Sequence, residues 1–349
     1  MGLTRRHLLV GGGGMAAAAL LGRPGNARPR GTSSQQAIAI QARTIDHFSI
    51  LDPDQTRFGG LVFRSGLELR CEDERFGGLS GLWRSGDGRK LLALADNAQW
   101  LSADVETSGG RLAGLSNASL APLLSETGRR LGGTPYYDTE SLAIGPDGTA
   151  YVGIERRHTI MRFDWGRQGI LARARPLALP EDLAGQIRDL PNNSGLEALG
   201  MAPPRSPLAG SLVAVAEHAF RGDSPTTLGF ILTGPQRGTF LVERSDGYDV
   251  SDMAFLPDGD LLLLERQFAL FGGFRTRIRR IAADALRPDA SVSGPVLFES
   301  GASHEIDNTE GLAVHRQDGE TILSLVSDDN FSGFQRTVLV EFVLAGKGP

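Results

Sequence analysis

The stretch Asp307-Asn308-Thr309-Glu310-Gly311-Leu312-Ala313 sets an acid just ahead of an apolar run, and Asp328-Asp329-Asn330 brings more acids eighteen residues after Glu310. The same arrangement occurs as Asp138-Thr139-Glu140-Ser141-Leu142-Ala143 followed by Glu155, and as Val250-Ser251-Asp252-Met253-Ala254 followed by Glu265. Between the two acids of each unit lie an apolar run, a turn and a second apolar run. The unit reads as a hairpin used several times over.

Register can be tested by arithmetic, because facing residues of a two-residue hairpin have numbers that sum to the same value as the two turn residues. Asp147 and Gly148 sum to 295, as do Glu140 and Glu155; Asp258 and Gly259 sum to 517, as do Asp252 and Glu265. Asp318 and Gly319 sum to 637 against 638 for Glu310 with Asp328, and Asp87 and Gly88 to 175 against 176 for Ser80 with Asp96. A one-residue bulge is expected in both of these hairpins. Glu197 and Glu217 centre on 207, inside Pro203-Pro204-Arg205-Ser206-Pro207, where a longer turn replaces the tight one.

Five such hairpins, with a strand pair around residues 59–69 as a sixth, predict an all-β fold: a six-bladed β-propeller with few short helical insertions. Residues 337–344 are expected to complete a blade with residues 44–50 and so close the ring without exposed edges. Helical spacing is strongest over residues 179–190 and next over 117–128. Hairpins this tight leave no room for the crossover helices of a parallel α/β sheet.

Composition agrees with a turn-rich chain, since 46 of 349 residues are glycine. A net charge of −5 without a lysine- or arginine-rich run excludes nucleic acid and anionic membrane as partners and favours a small or metal-bound ligand. Cys71 is the only cysteine, so no intramolecular disulfide forms, and it reads as a small buried hydrophobe. Thr4-Arg5-Arg6-His7-Leu8-Leu9, with a short Gly/Ala-rich stretch after it, resembles a twin-arginine export signal over residues 1–27, ending in the small residues Gly25-Asn26-Ala27. It implies the export machinery as a partner, a periplasmic or secreted protein, and no membrane span in the mature chain. Residues 28–42, rich in Pro, Gly, Ser and Gln, read as a flexible linker, and residues 43–345 as one propeller domain.

The pairing concentrates charge. Like charges at cross-strand positions are destabilising unless a cation lies between them. Glu140, Glu155, Glu197, Glu217, Asp252, Glu265, Glu310 and Asp328 are therefore the candidate metal ligands, and hard oxygens at this density suit Ca²⁺. Asn97, Asn193, Asn308 and Asn330 lie in the same loops and offer carbonyl oxygens. The competing reading makes the acids structural, bonded to backbone amides at strand ends. Arg156 and Arg266, each just after a returning acid, are the candidate binders of a small anionic, phosphorylated substrate. His158 and His218 are the candidate proton donors. Arg277, Arg279 and Arg280 are expected on a solvated strand face. There is no P-loop, no His-Glu-x-x-His and no cysteine pair, and Gly78-Leu79-Ser80-Gly81 only partly matches a nucleophile elbow.

Several segments together resemble the phytase-like family of secreted bacterial proteins, described by an esterase-like activity of phytase. They are Gly77-Gly78-Leu79-Ser80-Gly81-Leu82 with Ala95-Asp96-Asn97, Asp138-Thr139-Glu140-Ser141-Leu142 with Gly153-Ile154-Glu155, and Asn193-Ser194-Gly195-Leu196-Glu197. Leu264-Glu265-Arg266 and Asn308-Thr309-Glu310-Gly311-Leu312 with Ser327-Asp328-Asp329-Asn330 complete the set, which runs across nearly the whole mature chain. The resemblance implies a propeller and a calcium-assisted phosphate-ester hydrolase in which metals polarise the phosphoryl oxygens and arginines hold the remaining charge. Two other expectations stand beside it: a single-metal propeller lactonase or carboxylesterase laid out like gluconolactonases, and a non-catalytic binding propeller.

Overall fold

Runs such as Leu91-Leu92-Ala93-Leu94-Ala95 lack polar alternation because both faces of the strand are covered. In the computed structural model, which describes residues 34–192, 194–220, 224–269 and 272–346, Leu91, Ala93 and Ala95 enter one apolar cluster while Leu92 and Leu94 enter the next. Successive side chains of a strand point to opposite faces, so one strand serves two cores. Leu212, Ala214 and Ala216 divide from Val213 and Val215 in the same way, and Leu261 and Leu263 from Leu262 and Leu264. The described residues form five such clusters, each shared by two neighbouring sheets.

Those five junctions join five antiparallel sheets into a ring, a β-propeller. From the inside outward, the first blade is Leu79–Arg84, Lys90–Ala95, Gln99–Ser108 and Arg111–Pro122, with Gln36–Ala37 on its outer edge. The second is Thr139–Ile144, Ala150–Ile154, Thr159–Phe163 and Arg175–Pro176. The third is Leu196–Met201, Leu212–Ala216, Thr226–Ile231 and Gly238–Glu243, with Ser291–Val292 pairing in parallel outside. The fourth is Asp249–Phe255, Leu261–Ala269, Gly273–Ile281 and Val296–Ser300. The fifth is Asn308–Gln317, Glu320–Asp328, Thr337–Leu344, Leu61–Cys71 and Ile40–Ile45. Each innermost strand packs on the next, and Asn308–Gln317 packs on Leu79–Arg84 to complete the circle.

The blade number is therefore five, where six was expected. Residues 59–69 make no blade of their own, because Leu61–Cys71 takes the C-terminal strand as its partner, from Leu69 opposite Thr337 to Leu61 opposite Leu344. Closure uses this strand instead of residues 44–50, and Ile40–Ile45 adds outside it. The stretch 28–42 is not all linker, since residues 36–37 and 40–45 are strands: the first pairs with the first blade and the second with the fifth. Residues 117–128, expected as helix, contain the end of the strand Arg111–Pro122, whereas residues 179–190 do hold the α-helix Glu181–Arg188. The export signal lies outside the described residues, among which no helix is long and apolar enough to cross a membrane.

Every innermost strand carries a bulge at the same place. One residue is unpaired there: Ser80, Glu140, Glu197, Ser251 and Glu310. Asp318 and Gly319, with φ of 51° and 85°, make the turn whose sum of 637 holds from Gln317 opposite Glu320 to Gly311 opposite Val326. Past the bulge it is Asn308 that faces Asp328, so the slip runs opposite to the expected one. In the second blade the loop is one residue longer than a two-residue turn, with Gly145 bonded to Thr149, and Ser141 faces Gly153. None of the four expected acid pairs is a ladder pair. The bulges instead turn the acids away from the sheets.

Candidate functional site

Aligning the blades on their bulges gives two equivalent positions per blade. One is the bulged residue; the other ends or follows the returning strand, where the ladder resumes or the next backbone amide is bonded back. The pairs are Ser80 with Asp96, Glu140 with Glu155, Glu197 with Glu217, Ser251 with Arg266, and Glu310 with Asp328. Four blades bring acids to one end of the ring, and the fourth brings a serine and an arginine.

The second and third blades converge most closely. Carboxylate oxygens of Asp138, Glu140 and Glu155 lie within 4.8 Å of one another, and so do those of Glu155, Glu197 and Glu217. Glu155 belongs to both triads. It approaches because residue 195 is glycine: a Cβ there would lie 2.8 Å from Glu155 Cγ. The amide of Glu217 donates to Gly195 O at 3.0 Å, fixing the returning strand beside it. Arg266 pairs with Glu310 on one side and places Nη2 3.5 Å from Glu217 Oε1 on the other.

Glu140, Glu155, Glu197 and Glu310 are 4–7% exposed. Burial, then Glu197 and Glu155, push the Glu140 carboxyl well above its ordinary range. Burial, then Glu217 and Glu155, do the same to Glu197, against the pull of Arg266. Glu217 is pushed up to about 7, chiefly by burial, with Arg266 opposing and Asp249 and Glu155 adding. Burial disfavours the Arg266 charge, yet Glu310, Glu217, Glu197 and Glu140 outweigh it and its pKa is raised. Arg266, with Arg156 beside Asp138 at the rim, leaves Asp138, Glu140, Glu155, Glu197 and Glu217 with fewer cations than carboxyl groups.

Asp328 sits to one side with Glu310, and Asn308 Nδ2 lies 3.3 Å from Asp328 Oδ2. Burial, Glu310 and Asp96 raise its pKa well above the usual value. The two other expected ligands are engaged elsewhere. Asp252 accepts from the amides of Met253 at 2.8 Å and Leu312 at 2.7 Å, which ties the fourth blade to the fifth. Glu265 is fully buried and held by Arg277 Nε at 2.8 Å and Arg279 Nη2 at 2.6 Å. Arg277 and Arg279 are thus buried ion-pair partners and not a solvated face, while Arg280 pairs with Asp258 and Asp260. Both ligand expectations were one residue out because the bulged residue is Ser251. The signal was present: the bulged residue stands two before Leu82, Leu142, Leu199, Met253 and Leu312 in the five blades.

Arg156 reaches the cluster from the rim, its Nε 2.8 Å from Asp138 Oδ2 and its guanidinium 5.1 Å from the Tyr137 ring centroid. His218 Nε2 is 3.2 Å from Asp249 Oδ1, which also accepts from Arg244 Nη2 at 2.6 Å. Ligand atoms of His218, Glu217 and Asp249 lie within 4.8 Å of one another, whereas His158 follows the 3-10 turn Glu155–Arg157 in a left-handed conformation, its amide donating to Glu155 O at 3.0 Å, and joins no such group among the described residues. Asp138, Asp249 and Arg244 were not singled out from sequence as site residues; Asp138 had its place in the repeat as a signal, and the other two had none. Asn193 lies outside the described residues.

The molecule is a β-propeller with a largely buried carboxylate cluster at one mouth of its ring. The chain belongs to the phytase-like family, described as esterase-like activity of phytase, whose family model matches residues 74–331. Among curated proteins none matches the chain. Solved structures similar to it include a putative gluconolactonase, 12% identical over 88% of this chain and 94% of that one with a TM-score of 0.42. A streptogramin B lyase is 8% identical over 88% and 98%, with a TM-score of 0.36. At these values neither bears on what this chain does.

Proposed function

We propose that this protein is a divalent-cation-dependent hydrolase of anionic esters, phosphate monoesters foremost, with Ca²⁺ as the cation. The observation that carries the reading is the pair of carboxylate triads sharing Glu155. Both donor sets are oxygen only, as a hard cation prefers, and four of the five acids are buried. Asp138, Glu140, Glu155, Glu197 and Glu217 would hold the cation, which when bound polarises a phosphoryl oxygen and lowers the pKa of a coordinated water.

The chain's own groups do the rest. Arg266 offsets the charge of Glu217 and Glu310, so that an anion meets less repulsion at the mouth. Arg156, 43% exposed, is placed to take oxygens of the incoming ester while keeping its contact with Asp138. In the net reaction one water adds at phosphorus, the bond to the alcohol oxygen breaks, and a proton from that water leaves on the alcohol. The twin-arginine stretch Arg5-Arg6 supports export, so the reaction is assigned to the periplasm or the medium.

The test is turnover of phosphate monoesters, phytate included, by purified protein with and without chelator. Chelator-sensitive release of phosphate is expected. Release of none would overturn this reading, and hydrolysis of lactones alone would replace it with that of a lactonase.

A further inference from the structure

The 3-10 turn Glu155–Arg157 serves two places at once. Its first residue enters both carboxylate triads, and Arg157 and His158 line a cavity of about 350 Å³ next to it. A second cavity, about 290 Å³, lies at the other end of the ring by the Asp87-Gly88 turn, and among the described residues none of the three acidic groups lines it.

The cavity beside Glu155 is built from unlike halves. Ile160 and Ile187 are buried in one apolar cluster, with Leu177 and Leu179 packed against it, and give the cavity an apolar floor. Ile187 and Ala184 come from the helix Glu181–Arg188, inserted between the second and third blades. Arg157 and Arg188 stand exposed at its edge. Arg188 is paired with Glu181. Arg157 stacks on Tyr136, 5.5 Å from the ring centroid, and among the described residues it has no acidic partner. His158 holds φ 43° and ψ 55°, a left-handed conformation uncommon for a residue other than glycine, and its Nδ1 is buried without a hydrogen-bond partner. An apolar floor, a cation without a counter-ion and an unsatisfied ring nitrogen in one cavity fit an occupant with an apolar body and a negative head.

We infer that this cavity takes the apolar organic group of an anionic ester, an aryl or branched alkyl phosphate, with Arg157 on phosphate oxygens turned away from the carboxylates. The inference rests on the hydrolase reading and narrows it. A polyphosphorylated polyol has no apolar body to cover Ile160 and Ile187, and is the poorer substrate.

Two measurements separate this inference from the reading beneath it. The first compares kcat/KM for 1-naphthyl phosphate and glycerol 2-phosphate in Ca²⁺-loaded protein and in Ala184→Trp, which fills the cavity. The wild type is expected to prefer the naphthyl ester by roughly tenfold or more, and Ala184→Trp to remove that preference. The second is calorimetric binding of 1-naphthyl phosphate, expected to weaken by roughly tenfold in Ala184→Trp and in Arg157→Gln, whose exposed side chain leaves the fold intact. Turnover with no preference, or binding equal in wild type and both variants, overturns the cavity assignment. Binding sensitive to the variants without any turnover keeps the cavity and overturns the hydrolase.

Discussion

At the scale of single residues, Arg266 and Arg156 pair with the cluster, and one carboxylate, Glu155, is shared by its two triads. Replacing Arg266 with Met leaves Glu217 and Glu310 without their partner. Loss of about 3 kcal/mol is expected from denaturant melts without Ca²⁺, recovered in part when Ca²⁺ is added. His315, at the opposite end, gives the pH dependence. It is 3% exposed, and burial together with Arg84 and Arg64 lowers its pKa to about 3. Glu341 lies 3.9 Å away but is already bonded to Arg84 at 2.6 Å, so it does not hold a proton on the ring. Between pH 6.5 and 3 the unfolded chain binds this proton and the folded chain does not. The stabilisation is therefore complete above 6.5 and falls with falling pH, by at most about 1.4 kcal/mol per pH unit. Urea melts of wild type and His315→Gln should diverge below pH 6.5 in that sense; parallel curves would contradict it. Acids and their neighbourhood were legible in the sequence at Glu140, Glu155, Glu197, Glu217, Glu310 and Asp328. In the fourth blade they were not, because a search for acids selects Asp252 and Glu265, whereas the bulge selects Ser251 and Arg266.

At the scale of the element, the bulge is what turns a sheet residue into a site residue. It works only where neighbouring strands come close. A Cβ on Gly311 would lie 2.6 Å from Val326 Cγ1 and 2.9 Å from Leu82 Cβ, the next blade. Gly311→Ala should cost about 1–3 kcal/mol by chemical denaturation. Gly86→Ala, with nothing within 4 Å of the added carbon, serves as the control and should cost little. Hairpins, turn positions and the long apolar strands could be read from sequence, since turn chemistry and unbroken apolar runs are local signals. The direction of each register slip could not. It depends on the length of the turn, as the added residue in the Pro146-Asp147-Gly148 turn shows, and on contacts with the following blade, such as Ser80 Oγ donating to Thr139 O at 2.7 Å.

At the scale of the whole molecule, the ring is closed by sequence-distant strands. Thr337–Leu344 pairs with Leu61–Cys71, and residues 36–45 span from the first blade to the fifth. Removing residues up to 45 exposes the edge of the closing blade and should lower the melting temperature measured by circular dichroism, by roughly 2–4 °C for each kcal/mol lost. An unchanged melting temperature would show that this segment plays no part in closure. The count of hairpins suggested a sixth blade because Leu61–Cys71 is long and apolar enough to start one. Its true partner is 268 residues away at Thr337 opposite Leu69, and no local pattern announces such a pairing. Five apolar clusters at five junctions leave no place for another blade.

The ring brings Glu155 into two triads at once, on which the proposed cation site rests. Calorimetric titration of Ca²⁺ into wild type and Glu155→Gln tests this most directly. The account predicts saturable binding to wild type, worth about 2.7 kcal/mol of added stability at one hundred times the dissociation constant, and loss of that binding in Glu155→Gln. No heat of binding to wild type, or an equal affinity in Glu155→Gln, would contradict it.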